Sequence, residues 1–405
     1  MVPCRVKLLH NCKLPRVIQL IYLLKNRRSS LKYALLLVNF ILALLFSNNT
    51  VSMDNTNMSL DKLDQQIGQM LLVGFRGFTV DETHPIVQDI QQRHIGGILL
   101  FDYDSVRREP RRNIRSPQQV HELTQQLQKF SATRLLIAVD YEGGAVNRLK
   151  SRYGFPDTVS AKTLGEYHDT TITYRHSEKM AKTLSEVGIN LNFAPVVDVD
   201  LNPDNPIIGQ QGRSFSSDAQ KVAEHAIAFI RGHHQYGVLC NLKHFPGHGS
   251  SDRDSHLGLT DITDSWSEIE LQPYQLIIDA GLADSIMTAH VFNEQLDTQY
   301  PATLSHAIIT GILRERLHYD GVVFSDDIEM KAIADDYGLE TAVEKAINAG
   351  VDMIILGNNM GNFSEHLAKQ VFEIIKENVL SGKIPAERIA QAHRRIQQLK
   401  QRLEH

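Results

Sequence analysis

The chain has 405 residues, 42% of them apolar and 22% charged, a composition typical of a globular protein with room for one large domain or two ordinary ones. Its net charge is −5, but residues 1–52 hold eight Lys/Arg and no acid. The remainder therefore carries 34 basic against 47 acidic residues, and this balance of −13 argues against nucleic acid as a partner.

The chain opens with a basic stretch, residues 1–32, followed by an apolar run over residues 33–46 that is interrupted only by Asn39. About fourteen residues is short for a membrane span and suits the core of a signal peptide. Thr50-Val51-Ser52 offers small side chains for cleavage before Met53. We therefore expect residues 1–52 to be a leader that exports the protein. It is either cleaved or kept as an inner-membrane anchor through residues 33–46. The alternatives are a core helix and a cytoplasmic protein.

From residue 59 onward, apolar runs that are typical of buried strands alternate with helix-like stretches. The eight runs are Leu71–Phe75, Gly96–Phe101, Leu135–Asp140, Leu191–Val199, Gly237–Phe245, Ser285–Val291, Gly321–Asp327 and Val351–Gly357. The clearest helical stretches are Pro117–Phe130, Ser160–Val187, Asp218–Tyr236 and Ser305–Leu317. This alternation predicts a single (β/α)8 barrel over residues 53–405 with some long loops, and a doubly wound open sheet is the alternative.

Polar side chains stand where the predicted strands end, which is where a barrel keeps its chemistry. Asp140 and Asp326 each end an apolar strand, so each is expected to point its charge into the barrel mouth. A role as a helix N-cap explains at least as well as a functional role the presence of Asp198, Asp200 and Asp327. Cys240 lies inside a predicted strand and is interpreted as a small buried apolar residue, because no cysteine framework surrounds it.

The densest group of chemical side chains follows the fifth predicted strand. Lys243–Gly249 reads Lys-His-Phe-Pro-Gly-His-Gly, and Asp254-Ser255-His256 follows shortly after. A lysine and a histidine at the end of a buried strand are costly unless they are used, so a functional site is favoured over a histidine-rich surface loop.

These motifs resemble family 3 glycoside hydrolases of the bacterial β-N-acetylhexosaminidase (NagZ) type. Asp140–Arg148 is similar to the family's D-x-E-G-G-x-V-x-R stretch, and Lys243–His256 matches its K-H-F-P-G-H-G…D-S-H signature. Phe324–Met330 resembles its nucleophile segment. Asn205–Phe215 is similar to N-P-x-I-G-x-R-S-F, with extra residues before Arg213.

The resemblance implies a retaining β-glycosidase, without a cofactor, that removes terminal N-acetylglucosamine, typically from peptidoglycan fragments. It places the nucleophile at Asp326, the acid/base at His256 and the residue that orients this histidine at Asp254. It places sugar binding at Asp140, Arg148, Arg213, Lys243 and His244.

Simple chemistry agrees with these roles. A glycosidic oxygen needs a proton as it leaves, and a carboxylate can trap the positive charge that grows on the sugar. A histidine gives and takes a proton near neutrality, and a neighbouring aspartate such as Asp254 can hold its tautomer. Lysine, histidine and arginine donate to sugar hydroxyls, while Asp140 accepts from them.

Two features depart from the family pattern. Tyr141 stands where the family often has Gln, and little effect is expected. Residues 104–112 look inserted and are strongly basic, so they are either a solvated loop or an electrostatic handle for anionic peptidoglycan or phospholipid.

Two other kinds of protein remain as alternatives. One is a zinc hydrolase that uses His244, His248, Asp254 and His256 as ligands. The other is a sugar-binding protein without activity.

Overall fold

The structure is a computed structural model that describes residues 60–110, 112–254 and 258–403. Eight parallel strands close into a barrel in chain order, and the last strand pairs with the first. The strands are β1 Leu71–Gly74, β2 Gly97–Leu100, β3 Leu136–Val139, β4 Leu191–Asn192, β5 Leu239–Phe245, β6 Ser285–Thr288, β7 Val322–Asp327 and β8 Met353–Leu356. The predicted barrel is confirmed, and the doubly wound alternative is wrong.

The barrel strands are short and almost wholly buried, since helices cover one face and the barrel interior covers the other. β2 and β3 pair in register from Gly97 opposite Leu136 to Leu100 opposite Val139. β4 is shorter than its predicted run, which continues only as an isolated bridge between Val196 and Lys243. Pro195 interrupts this ladder because a proline has no N–H to donate.

Helices follow the strands and surround the barrel. They are α1 over residues 60–69, α2 Pro85–Arg93, α3 Pro117–Phe130, α4 Ala161–Gly165, α5 Thr170–Glu186, α6 Ala219–His234, α7 Gln272–Asp279, α8 Ala307–Arg316, α9 Lys331–Tyr337, α10 Leu339–Ala349, α11 Leu367–Leu380 and α12 Ala386–Gln401. Short 3-10 helices lie at Ser151–Tyr153, Glu268–Leu271 and Ala302–Leu304. α8 is wound as a π-helix.

One of the predicted helices consists of two separate helices in the structure. The stretch Ser160–Val187 divides into α4 and α5, because two separate N-caps lie within it. The Ser160 hydroxyl accepts from Thr163 N, and the Asp169 carboxylate accepts from Thr171 N. α4 ends at Gly165, which packs so closely against the backbone of Phe215 that a side chain there would collide with it.

Three small two-stranded ribbons extend the loops at the carboxyl ends of the barrel strands. They pair Tyr103–Asp104 with Glu109–Pro110, Tyr141–Gly143 with Val146–Asn147, and Thr260–Asp261 with Val291–Phe292. The first ribbon, called here the 103–110 hairpin, contains most of the stretch predicted as a basic insertion. The loops around the barrel mouth therefore contain regular, paired secondary structure.

The described residues from Asp61 onward form one compact unit. Cys240 is a free thiol buried in β5, as predicted. Within the described residues, no helix is long and apolar enough to cross a membrane. The predicted leader, residues 1–52 with its apolar core at 33–46, lies outside the described part of the chain, so both the export signal and the domain boundary at residue 53 stay predictions.

Candidate active site

A cavity of about 420 Å³ lies at the carboxyl ends of the barrel strands and is called here the mouth cavity. This volume is within the range of small-molecule sites. The predicted site residues that line it are Asp140, Arg148, Arg213, Lys243, His244, Asp254 and Asp326. They come from the ends of four strands and the loops that follow them, so only the closed barrel brings them together. His256, the predicted acid/base, lies outside the described residues.

A chain of alternating charges runs along one side of the mouth cavity. Lys243 Nζ lies 2.8 Å from Asp140 Oδ1 and 2.7 Å from Glu142 Oε1. Arg213 donates to both oxygens of Glu142, at 2.8 and 2.7 Å. At the outer end, Arg148 Nη2 lies 3.6 Å from Asp140 Oδ2. Each buried charge is thus paired, which is what permits so many ions in a largely buried site.

The same network keeps these groups ionised. Burial alone would raise the pKa of Asp140, but the charges of Lys243 and Arg148 outweigh it and hold the pKa below its ordinary value. Burial opposes ionisation of Glu142 as well, yet Arg213 and Lys243 lower its pKa to about 2. Burial would lower the pKa of Lys243, but its two carboxylate neighbours raise it. At neutral pH the site therefore presents fixed donors and a fixed acceptor to a polar ligand.

Glu142 was given no role from the sequence, although it lies at the centre of this network. A signal was present, because Asp140 and Glu142 are two residues apart and adjacent strand residues point to opposite sides. The intervening Tyr141 lines a separate small pocket, with His176 and Thr183. That orientation agrees with the small effect expected for Tyr141.

Glu142→Gln is expected to lower the free energy of unfolding by about 3–5 kcal/mol, because it leaves the buried Arg213 without its carboxylate partner and Lys243 with Asp140 alone. Misplacement of Arg213 and Lys243 should also lower kcat/KM by about 10²-fold. Denaturant unfolding and steady-state kinetics measure the two effects. Glu82→Gln, which neutralises an exposed glutamate, is the matched control and should change neither quantity.

The sign of the pH dependence provides a further check on Glu142. Its pKa is depressed in the folded protein, from 4.5 to about 2, so its stabilising contribution is complete above the unfolded value. That contribution is lost as the pH falls from about 4.5 towards 2. The stability deficit of Glu142→Gln should therefore shrink over this window, and a constant deficit would contradict the assigned ion pairs.

Asp198 is a second residue whose role the sequence did not reveal. Its carboxylate accepts from the backbone N–H groups of His244 and His248, at 3.1 and 2.9 Å, and lies 2.7 Å from His244 Nδ1. The N-cap interpretation is wrong, because α6 begins after a different cap, Asp218. No helix within the described part of the chain begins at Asp200 either. Asp198 therefore orients the His244 ring, whose Nε2 faces Arg213 Nη2 at 3.3 Å.

Asp326 and Asp327 end β7 and differ in their contacts. Both line the mouth cavity, and Asp326 accepts from Asp327 N at 2.8 Å. Asp327 accepts from Gly357 N and Glu329 N, both at 3.2 Å, and thus joins β7 to the turn after β8. The N-cap of α9 is Met330, so the N-cap interpretation of Asp327 is also wrong. The backbone carbonyl oxygen of Asp327 lies 2.9 Å from His290 Nε2 and is hydrogen-bonded to it.

The zinc alternative fits poorly with the described residues. Both ring nitrogens of His244 have close partners, and one of those partners is the cation Arg213. His248 is buried, and its Nδ1 lies 2.7 Å from Ser251 Oγ. Nowhere in residues 60–110, 112–254 and 258–403 do three or more His, Cys, Asp or Glu side chains cluster as a metal site.

The predicted basic insertion is only partly a surface feature. Arg112 is fully buried and donates to Phe75 O at 3.0 Å and Asn358 O at 2.7 Å. It thereby fastens the 103–110 hairpin to the loops after β1 and β8. Ser105, in that hairpin, lines the mouth cavity, and its N–H donates to Asn359 Oδ1 at 2.9 Å. The solvated-loop interpretation is therefore wrong for Arg112, while the anionic-ligand interpretation stays a prediction for the exposed Arg107 and Arg108.

A closed parallel barrel with a charged cavity at the carboxyl ends of its strands defines a (β/α)8 enzyme. The family model described as "Glycosyl hydrolase family 3 N terminal domain" matches residues 62–399. The chain belongs to this family and is a glycoside hydrolase, which confirms the resemblance seen in its motifs.

Individual proteins to which the chain is similar have names that agree with this family assignment. The beta-hexosaminidase of Tolumonas auensis is 37% identical over 268 residues, which cover 65% of this chain and 76% of that protein. That of Haemophilus influenzae is 34% identical over 71% of this chain and 79% of that protein. The structure of a glycoside hydrolase family 3 beta-N-acetylglucosaminidase from a Paenibacillus species has a TM-score of 0.76 and 35% identity. It aligns with 84% of this chain, which spans 62% of the Paenibacillus chain.

Proposed function

We propose that the protein is a retaining β-N-acetylhexosaminidase that hydrolyses terminal, non-reducing β-linked N-acetylglucosamine. The observation that carries the proposal is the convergence of all seven described members of the predicted site on one cavity. The names of the relatives support the same activity.

The proposed reaction has two displacement steps. In the first, a carboxylate oxygen of Asp326 attacks the anomeric carbon while His256 gives a proton to the departing glycosidic oxygen. In the second, His256 takes a proton from water, and the water oxygen displaces Asp326 and restores the β configuration. Asp254 orients the histidine and stabilises its cationic form.

The network along the mouth cavity has the complementary task of holding the sugar. Lys243, His244 and the arginines are donors, and the Asp140 carboxylate is an acceptor for hydroxyl groups. Because the ion pairs fix these groups before the ligand arrives, little reorganisation is needed on binding. The network therefore supports a polar, neutral ligand such as an amino sugar held by several hydroxyls.

The first test is turnover of a chromogenic β-N-acetylglucosaminide by the purified protein. Turnover that is insensitive to a chelator, with the β-anomer as the first product in proton NMR, is expected. Absence of turnover would favour the non-catalytic sugar-binding alternative, and loss of turnover with a chelator would favour the zinc alternative. Product analysis with purified muropeptides, with and without phosphate, then identifies the aglycone and the acceptor.

We also propose that the substrate is peptidoglycan-derived and that the protein meets it outside the cytoplasm. This rests on the basic stretch and apolar core of the leader and on the family resemblance. Cell fractionation should find the enzyme in the periplasm or the inner membrane, with the N-terminus near Met53 if the leader is cleaved. Full-length protein in the soluble cytoplasm would contradict export.

A further inference from the structure

The end of β5 and the start of the loop that follows it form a buried segment, residues 244–251, called here the loop root. On one side the loop root is held by Asp198, through the backbone N–H groups of His244 and His248. On the same side, Asn205 Nδ2 donates to His248 O at 2.7 Å. The chain then leaves the loop root at the exposed Asp252 and returns to the mouth cavity at Asp254.

On its other side the loop root is held by one carboxyl group, Glu270, in the 3-10 helix Glu268–Leu271. Gly249 N donates to Glu270 Oε2 at 2.9 Å, and Ser250 Oγ donates to Oε1 at 2.5 Å. Glu270 is fully buried and does not line the mouth cavity. A buried carboxyl with no contact to the cavity is costly, which calls for an explanation other than binding.

The packing around Glu270 shows how closely the loop root is fitted to it. Gly247 has a φ of +124°, and a Cβ there would lie 2.5 Å from the Glu270 Cβ, so only glycine allows this approach. Trp266, just before the same 3-10 helix, donates from Nε1 to Pro246 O at 3.1 Å. The far end of the loop is fixed separately, by the pairing of Thr260–Asp261 with Val291–Phe292.

We propose that Glu270 is a positioning residue that fixes the loop root and thereby places Asp254 at the mouth cavity. The inference rests on the proposed function, in which the loop carries the proton-transfer pair of Asp254 and His256. Glu270 acts through Gly249 and Ser250 and does not touch the substrate. Its removal should therefore impair proton transfer to the leaving group more than sugar binding or nucleophilic attack.

The ionisation of Glu270 should make the position of the loop root depend on pH, which gives a second way to test its role. Burial raises its pKa to about 8, with the Asp198 charge adding to the effect, so the carboxyl is protonated at neutral pH. The other groups packed around it are Ser250, the Gly249 N–H and the buried phenol of Tyr274. Ionisation above that pKa places a charge in the same buried region as Asp198, which should loosen the loop root.

The test compares kcat/KM, which reports the glycosylation step, on two substrates: an N-acetylglucosamine disaccharide and a dinitrophenyl N-acetylglucosaminide. The first has a poor leaving group and needs the proton, while the second does not. Glu270→Ala is expected to lose about 10²-fold on the disaccharide and less than about fivefold on the dinitrophenyl substrate. Glu270→Gln, whose amide accepts from Gly249 and donates to Ser250, should recover most of the loss.

The matched control is Glu268→Ala, which removes an exposed carboxylate from the same 3-10 helix and should leave both substrates unaffected. If Glu270→Ala does not fold, Ser250→Ala removes one of the two loop contacts and should give a smaller loss of the same selectivity. Deprotonation of His256 should lower the ratio of disaccharide to dinitrophenyl kcat/KM at high pH in both proteins. The wild type should show a further fall as the pH rises through about 8, which Glu270→Gln should lack.

Equal losses on both substrates in Glu270→Ala or Ser250→Ala would overturn the inference, because Glu270 would then serve folding alone. So would a further fall through about pH 8 in Glu270→Gln that is as large as in wild type. Failure of the proposed function is distinguishable from these outcomes, since it would appear as lack of turnover of the dinitrophenyl substrate by the wild-type protein.

Discussion

Asp326→Ala is expected to abolish turnover, with a loss of several orders of magnitude in kcat on every β-N-acetylglucosaminide. The alanine cannot form the glycosyl ester, and the growing positive charge on the sugar would have no carboxylate to meet it. Asp326 lies in the last two residues of β7 and lines the mouth cavity, so its removal should leave the barrel intact. Steady-state kinetics measure the loss of turnover, and circular dichroism checks that the barrel remains folded.

The adjacent Asp327→Asn is the matched control and should be far milder. Its carboxylate accepts two backbone N–H bonds at 3.2 Å, and an amide oxygen can still accept one or both. A 2-fluoro or 5-fluoro glycosyl inactivator should label Asp326 in the wild-type protein. A label found by mass spectrometry on any other residue would contradict the assignment of the nucleophile.

His256→Ala should produce the second largest effect, and one that depends on the substrate. Hydrolysis of a natural disaccharide should slow strongly, because its leaving oxygen needs a proton. Glycosylation by a dinitrophenyl glycoside should slow much less, which leaves deglycosylation rate-limiting. Parallel kinetics on the two substrates, with a pre-steady-state burst for the second, measure the contrast.

Azide provides the test of the base role in this variant. A small anionic nucleophile needs no general base, so it should restore deglycosylation and yield a glycosyl azide of retained β configuration. Asp254→Ala should show a weaker version of the same pattern, since the imidazole remains but is poorly oriented. Equal losses on both substrates without azide rescue would mean that His256 only binds or shapes the loop.

If His256 only binds or shapes the loop, another group must be the general acid. The structure argues against one candidate for that role, His248. His248 is the nearest alternative in the sequence, but burial lowers its pKa to about 4. A histidine with that pKa is neutral at pH 7 and has no proton to give from its cationic form. His248 is also part of the loop root, where Asp198 holds its backbone N–H.

The fold was determined by local patterns and could be predicted from the sequence. Each buried parallel strand is a continuous apolar run, and the polar residues that end such runs meet at one face of the barrel whatever the details of packing. For that reason the sequence itself indicates Asp140 and Asp326 as site residues. Where a prediction had the wrong length, as in β4 or Ser160–Val187, a local proline or a second helix cap was responsible.

The partners of each charge were decided only by the tertiary structure. Glu142 meets Arg213 across 71 positions of the chain, and Asp198 meets His244 across 46. Arg112 is buried by contacts such as that with Asn358, 246 positions away. Local periodicity contains no information on such pairs, because they arise from barrel closure. The sequence alone thus identified seven of the residues that line the mouth cavity, while the structure determined which of the charged side chains around them pair and stay ionised.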